Sequence, residues 1–135
     1  MRRFVAAAAV ALTLACGSDG STTPTNTAIA GTYSLQTING SALPFTFVSG
    51  TDSLTVTADT ILVGSDGTWS ESVAYRQTVG GQVTTGTQID GGVWLANDTQ
   101  VEFDSTVSGL LVYTGTFTNS ALNLTDGSTA QVFVR

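Results

Sequence analysis

The chain contains no histidine and no lysine, and its single cysteine is Cys16. Without histidine there is no Ser-His-Asp or Cys-His base, and no histidine-rich metal site. Without lysine, Schiff-base, pyridoxal phosphate and P-loop chemistries are excluded. A single cysteine cannot form an internal disulfide, so the folded part of the chain must be stabilised by its hydrophobic core.

Carboxylates are the side chains that could still carry out chemistry. Four of the ten fall in predicted turns, at Asp52, Asp66, Asp98 and Asp126. Glu102 and Asp104 lie two residues apart on one predicted outer strand face, where two solvated acids are far commoner than a Ca²⁺ site. Catalysis would require two carboxylates to converge inside a cleft. We therefore expect a protein that is not an enzyme and that has no cofactor and no metal site.

Positive charge is scarce. Apart from Arg2 and Arg3 near the amino terminus, the cations are Arg76 and Arg135, against ten carboxylates. Binding of nucleic acid requires basic side chains that neutralise phosphates. Attraction to an anionic membrane surface requires positive charge as well. The composition therefore predicts that neither is a partner of the folded domain.

Residues 1–15 have the features of a secretory signal peptide. A positive start, Met1-Arg2-Arg3, is followed by an apolar run over residues 4–14 that is too short to span a bilayer core of roughly 30 Å. The stretch LTLAC, which ends at Cys16, resembles the lipobox of bacterial lipoproteins. That resemblance implies that Cys16 becomes the mature amino terminus and carries fatty acyl chains such as palmitate. The alternative is an ordinary secretory peptide with an incidental cysteine.

Residues 16–28 combine the predicted lipidated Cys16 with a flexible linker. The linker sequence GSDGSTTPTNTA is small and polar, and a coil of this length spans roughly 20 Å. Two or three acyl chains make a lasting anchor, so we expect the domain to be tethered to a membrane without being embedded in it. Gly17, where an aspartate would resemble an inner-membrane retention signal, favours the outer membrane, with the domain facing the periplasm or the cell exterior.

Residues 29–135 form one predicted all-β domain. Threonine and valine are frequent, Gly, Asn and Asp recur between apolar runs, and no window shows helical spacing of apolar residues. Alternating polar and apolar residues predict antiparallel strands with one solvated face. The predicted strands cover residues 31–38, 45–49, 53–58, 60–64, 68–79, 82–95, 99–104, 108–118, 121–125 and 129–134.

Short strands joined in sequence order are most simply closed into an up-and-down β-barrel, which also removes exposed sheet edges. Strand counting leaves a β-sandwich as the alternative. The alternation places Leu54 and Val56 on the inner face, and near the end of the chain it places Val132 and Val134 there.

The motifs Gly31-Thr32-Tyr33, Ile38-Asn39-Gly40 and Leu43-Pro44 resemble the lipocalin-like domain of small bacterial lipoproteins. The first motif is also similar to the Gly-x-Trp signature of lipocalins, with Tyr33 in place of tryptophan. The resemblance implies a β-barrel that binds a small hydrophobic molecule. It also implies that Arg135 packs over the aromatic ring of the first strand.

A glycine followed two residues later by an aromatic residue occurs four times, ending at Tyr33, Trp69, Trp94 and Phe117. We interpret the glycines as points where strands begin or bend, and the rings as directed inward. Glu71 falls on the same predicted inner face as Trp69, where a buried carboxylate needs a partner. The residues predicted to bind a ligand are Tyr33, Trp69, Glu71, Tyr75, Trp94 and Phe117.

Two functions remain open at this point. An eight-stranded barrel is just wide enough to be filled by its own side chains. A filled core predicts a structural or interaction module that contacts an envelope protein or a glycan. An aromatic-lined cavity of about 300 Å³ or more, within the barrel or at its mouth, predicts binding of a small hydrophobic molecule.

Overall fold

The computed structural model describes residues 28–135, and this part of the chain consists of ten β-strands joined by turns. The predicted signal peptide and Cys16 lie outside the described residues. Among the residues described, no helix is long and apolar enough to cross a membrane. The strands are β1 (Gly31–Ile38), β2 (Ser41–Ala42), β3 (Phe45–Ser49), β4 (Asp52–Val63), β5 (Thr68–Val79), β6 (Gln82–Asn97), β7 (Gln100–Ser105), β8 (Leu111–Thr118), β9 (Ala121–Thr125) and β10 (Ala130–Val134).

Eight of these strands close into an antiparallel barrel. From β4 to β10 each strand pairs with the next, β10 pairs with β1, and β1 pairs back onto β4. The closing contact joins Gly31 to Val63 and Ser34 to Thr60. The predicted up-and-down barrel is confirmed, and the alternative of a β-sandwich is wrong.

The two ends of the barrel differ, because β1 and β4 stay paired only at one of them. Beyond Ser34 and Thr60 the two strands separate. The end of β1 then pairs with β2, and the start of β4 pairs with β3. We call the end with the β1–β4 pairing the closed end, and the end where the strands separate the open end.

A β-bulge in β4 changes which residues face the interior. The register with β5 shifts between Val56 and Ala58, and the Thr57 hydroxyl donates a hydrogen bond to the Ala74 carbonyl at 3.0 Å. Val56 is buried before the bulge, and Asp59 is buried after it. The two predicted strands over 53–58 and 60–64 are therefore one strand whose bulge turns Asp59 inward.

Aromatic rings fill the closed end. The ring of Trp69 lies edge-on to those of Phe103 and Tyr113, at centroid distances of 5.5 and 6.3 Å. The indole N–H of Trp94 donates to the Gly64 carbonyl at 2.9 Å, and the Tyr33 hydroxyl donates to the Ile29 carbonyl at 2.6 Å. Their polar atoms are thus satisfied, as burial of Trp and Tyr requires.

The four repeated glycines serve two different purposes. Gly31 opens β1, and Gly67, with a φ of 85°, immediately precedes β5. Gly92 and Gly115 lie inside strands, where a Cβ atom would collide with the carbonyl oxygens of Asp104 and Asn123 respectively. The predicted role of the glycines at strand starts is confirmed for the first pair, whereas the second pair permits close approach of neighbouring backbones.

Arg135, the last residue of the sequence, contacts the first residues of the domain. Its guanidinium group lies over the Tyr33 ring, 5.7 Å from the centroid, and over the Phe117 ring at 6.0 Å. It also donates hydrogen bonds to the carbonyls of Ala28 and Ala30. The packing implied by the lipocalin resemblance is present, and it fixes the point where the chain enters at the closed end.

The predicted inner face of β10 is wrong. Gln131 and Phe133 are buried, whereas Val134 is 40% exposed. Phe133 pairs with Leu122 and Gln131 pairs with Leu124, so the inner residues of β10 match those of β9. Burial of the glutamine is tolerated because its amide donates to the Thr129 hydroxyl at 3.1 Å.

Candidate functional site

A cavity of about 310 Å³ lies towards the open end of the barrel. This volume is at the lower end of the range for small-molecule sites, roughly 300–1,000 Å³. Apolar side chains make up about half of its lining, and polar or acidic side chains make up the rest. The apolar ones are Leu35, Ile38, Phe47, Leu54, Val56, Val73 and Val112, and the others are Asp59, Glu71, Gln88, Asp90, Tyr113, Asp126, Thr129 and Gln131.

Of the six residues predicted to bind a ligand, Glu71 alone lines this cavity. Tyr33, Trp69 and Trp94 are buried in the core of the closed end, and Phe117 packs edge-on against Tyr33. Tyr75 lines a second pocket of about 260 Å³, which shares four residues with the cavity: Leu54, Val56, Val73 and Gln88. A ligand-binding role for the four closed-end aromatics stays a prediction, and the structure places them away from the cavity wall.

Asp59 and Glu71 form an acidic pair on the wall of the cavity. They lie on neighbouring strands, where Asp59 pairs with Val73 and Ile61 pairs with Glu71. Only 5% of Asp59 and 6% of Glu71 is exposed. Their carboxyl groups are close enough to hydrogen-bond to each other, which requires one of them to keep its proton.

The environment raises the pKa of both carboxyl groups. Burial raises the pKa of Asp59 to about 8, and the negative charge of Glu71 acts in the same direction. Burial also raises the pKa of Glu71, although a hydrogen bond of 2.8 Å from the Tyr113 hydroxyl lowers it. Near neutral pH, Asp59 therefore keeps its proton, and the pair carries less than its full negative charge.

Two further carboxylates line the same cavity. Asp90 on β6 pairs with Glu71 and accepts hydrogen bonds from the Ser105 hydroxyl at 2.6 Å and the Gly91 backbone N–H at 2.7 Å. Asp126 lies in the turn between β9 and β10. Partial burial raises its pKa, but hydrogen bonds from Thr129 and Ser128 outweigh this and lower it overall. Both groups are held by neighbouring donors, whereas the Oδ1 atom of Asp59 has none among the described residues.

One oxygen of Asp59 has no hydrogen-bond partner within residues 28–135. Its Oδ1 atom is buried and unpartnered, while the Thr60 backbone N–H donates to the same carboxyl group. An unpartnered buried polar atom costs about 1–3 kcal/mol, so such atoms are rare in folded proteins. An unsatisfied acceptor on a cavity wall is a position where a bound molecule can supply the missing donor.

Positive charge is absent from the described wall of the cavity. Arg135 lies at the closed end, and Arg76 is exposed on β5 outside the residues that line the cavity. No group of three or more His, Cys, Asp or Glu side chains within residues 28–135 is placed to hold a metal ion. Two carboxylates do converge, which is the geometric condition that catalysis would require. The absence of enzymatic activity stays a prediction.

The sequence pattern did not predict Asp59 as a site residue. Asp59 lies between two stretches in which apolar and polar residues alternate in different phases. The alternation of Leu54 and Val56 ends at Thr57, and the predicted break between strands at residue 59 removed Asp59 from either face. Counting backwards from Val63 through Ile61 in steps of two would have found it. Gln131 was not predicted to face inward, because the apolar residues Val132 and Val134 indicated the opposite face of β10 as the inner one.

Comparisons of this chain with protein-family models, with curated proteins and with solved structures find no match. Its class therefore rests on the fold and the site themselves. They define a small closed antiparallel β-barrel, with a packed aromatic core at one end and an acidic, partly apolar cavity at the other.

Proposed function

We propose that the protein is a membrane-anchored, non-catalytic lipoprotein whose barrel binds a small hydrophobic molecule at its open end. The observation that carries the proposal is the cavity of about 310 Å³ towards that end. The described interior is packed around the closed-end rings but leaves this cavity towards the open end, which favours a binding protein over the alternative of a structural module. Burial of apolar ligand surface against the wall supplies roughly 25 cal/mol per Å².

The apolar side chains of the wall support a ligand with an apolar body. Leu35, Ile38 and Val56 are buried side chains of the wall, and Val73 and Val112 are half-buried. Phe47 and Leu54 are 37% exposed and belong to the same lining. Partly exposed apolar side chains at the rim give a hydrophobic molecule a continuous path from solvent to the buried wall.

The position of Ala28, where the predicted linker ends, supports access to the cavity. Arg135 holds the carbonyls of Ala28 and Ala30 beside the closed end. Ala28, the last residue of the predicted linker from Cys16, therefore lies at the end opposite the cavity. Anchoring through that linker leaves the open end accessible to solutes of the periplasm or the cell exterior.

Lipidation is tested by mass spectrometry of the intact protein purified from membranes. We expect the mature chain to begin at Cys16 and to carry the mass of two or three acyl chains. A Cys16→Ser variant is expected to lose the acyl mass and to leave the membrane fraction. An unmodified wild-type chain that begins elsewhere would contradict the anchoring part of the proposal.

Ligand binding is tested with N-phenyl-1-naphthylamine, a neutral hydrophobe whose fluorescence rises in apolar surroundings. We expect saturable binding by the wild-type protein and a loss of affinity of roughly tenfold or more in Val73→Trp, because the larger side chain occupies the cavity. The matched control is Val93→Trp, which places the same side chain at a position on β6 that is 46% exposed. Equal affinities in the two variants would show that the dye binds elsewhere.

A further inference from the structure

The Oδ1 atom of Asp59 is a buried hydrogen-bond acceptor that lacks a donor among the described residues. It belongs to Asp59, a side chain that is 5% exposed and lines the cavity, and the atom is buried with no partner among residues 28–135. The Asp59 carboxyl already interacts with Thr60 and Glu71. The missing partner is a hydrogen-bond donor, and a molecule bound in the cavity that Asp59 lines is one source of it.

The charges around this atom indicate the kind of donor. Glu71 from β5, Asp90 from β6 and Asp126 from the β9–β10 turn all line the cavity, and no arginine does. In a partly desolvated cavity these carboxylates favour a cation over a neutral group. An ammonium group has three donors and no acceptor, so it can satisfy Oδ1 and neighbouring oxygens together.

We infer that the cavity selects molecules in which a protonated amine is attached to an apolar body, and that Asp59 and Glu71 bind the amine while the apolar wall holds the body. The inference rests on the proposed function, because it names the class of ligand for the same cavity. A bare metal ion fits this site less well, because the described residues offer no ligand cluster for a metal and about half of the wall is apolar.

The inference predicts a pH dependence with a defined sign. The groups that face the pair are Asp90 from β6, Tyr113 from β8 and Asp126 from the turn before β10. A simple amine stays protonated up to about pH 10. As pH rises towards 8 the pair loses its shared proton and gains negative charge, so affinity for the ammonium increases. The increase is at most about tenfold per pH unit for one proton released.

The experiment is displacement of N-phenyl-1-naphthylamine by two probes of similar shape, 2-phenylethylammonium and neutral 2-phenylethanol. We expect the wild-type protein at pH 8 to prefer the ammonium by roughly tenfold or more. In Asp59→Asn the preference falls to near equality, and in Asp98→Asn, which alters an exposed turn residue, it is unchanged. Glu71→Gln, with exposed Glu102→Gln as its control, repeats the test should Asp59→Asn fail to fold.

The outcomes separate this inference from the proposed function. Equal displacement by the two probes in the wild-type protein, with dye still bound in the cavity, overturns amine selection and leaves the hydrophobic site intact. A preference for the ammonium that survives both Asp59→Asn and Glu71→Gln also overturns it. If the dye does not bind, direct calorimetric titration with 2-phenylethylammonium decides the inference, and absence of heat overturns both proposals.

Discussion

Replacing Asp59 by asparagine is expected to stabilise the protein at pH 8 by up to about 5 kcal/mol and to leave its stability at pH 4 nearly unchanged. Burial raises the pKa of Asp59 in the folded state to about 8, from 3.8 in the unfolded chain. The folded state therefore binds the proton more tightly. The stabilisation that this provides is complete below about pH 4 and is lost as pH rises to about 8.

Asparagine has nearly the shape of protonated aspartic acid and can donate a hydrogen bond to Glu71, but it never acquires charge. The measurement is urea unfolding of wild type, Asp59→Asn and Asp98→Asn at five pH values from 4 to 8. Hydrogen bonds lower the pKa of Asp126 and give its contribution the opposite sign, but this contribution cancels in the difference between variants. Parallel pH profiles for wild type and Asp59→Asn would show that Asp59 titrates normally.

Trp94→Ala is expected to destabilise the protein by about 3–5 kcal/mol without changing the ligand affinity of the folded fraction. Trp94 is 3% exposed, packs in the closed-end core and donates to the Gly64 carbonyl. It does not line the cavity. Since small domains are stable by only about 5–15 kcal/mol, this is a large part of the total.

The measurement combines urea unfolding with dye titration under conditions where Trp94→Ala is still folded. Trp94→Phe keeps most of the ring volume but lacks the indole N–H, so its expected loss is smaller, about 1–3 kcal/mol. The reverse pattern is expected for Val73→Trp, which impairs binding more than stability. A large loss of affinity in Trp94→Ala would contradict the separation of a packed end from a binding end.

Much of the fold follows from local alternation in the sequence. The bounds of β1, β3, β5 and β9 are those predicted, because glycine and Asx turns punctuate short runs of alternating apolar residues. Closure into a barrel follows from strand number and the need to pair both edges. These features depend on residues that are close in sequence, so a single sequence is enough to predict them.

The cavity is formed by strands that are distant in sequence. Alternation within one strand therefore does not predict it. It lies towards the end where β1 separates from β4, and the bulge after Val56 turns Asp59 into it. Glu71 was predicted as an inward carboxylate, but its partners come from β4 and β8. Alternation places the aromatic residues and Glu71 on the same inner face, so all of them are predicted to bind the ligand. Alternation does not give their positions along the barrel axis, and it is there that they differ.

Methyl NMR during titration with N-phenyl-1-naphthylamine tests the central claim most directly, because it locates the bound molecule. We expect shifts concentrated at Leu35, Ile38, Val73 and Val112, which line the cavity, with Leu122 at the closed end nearly unaffected. Shifts confined to exposed methyl groups on the outer surface, at Leu62, Val93 and Leu95, would contradict it. So would a titration that shifts no methyl group at all.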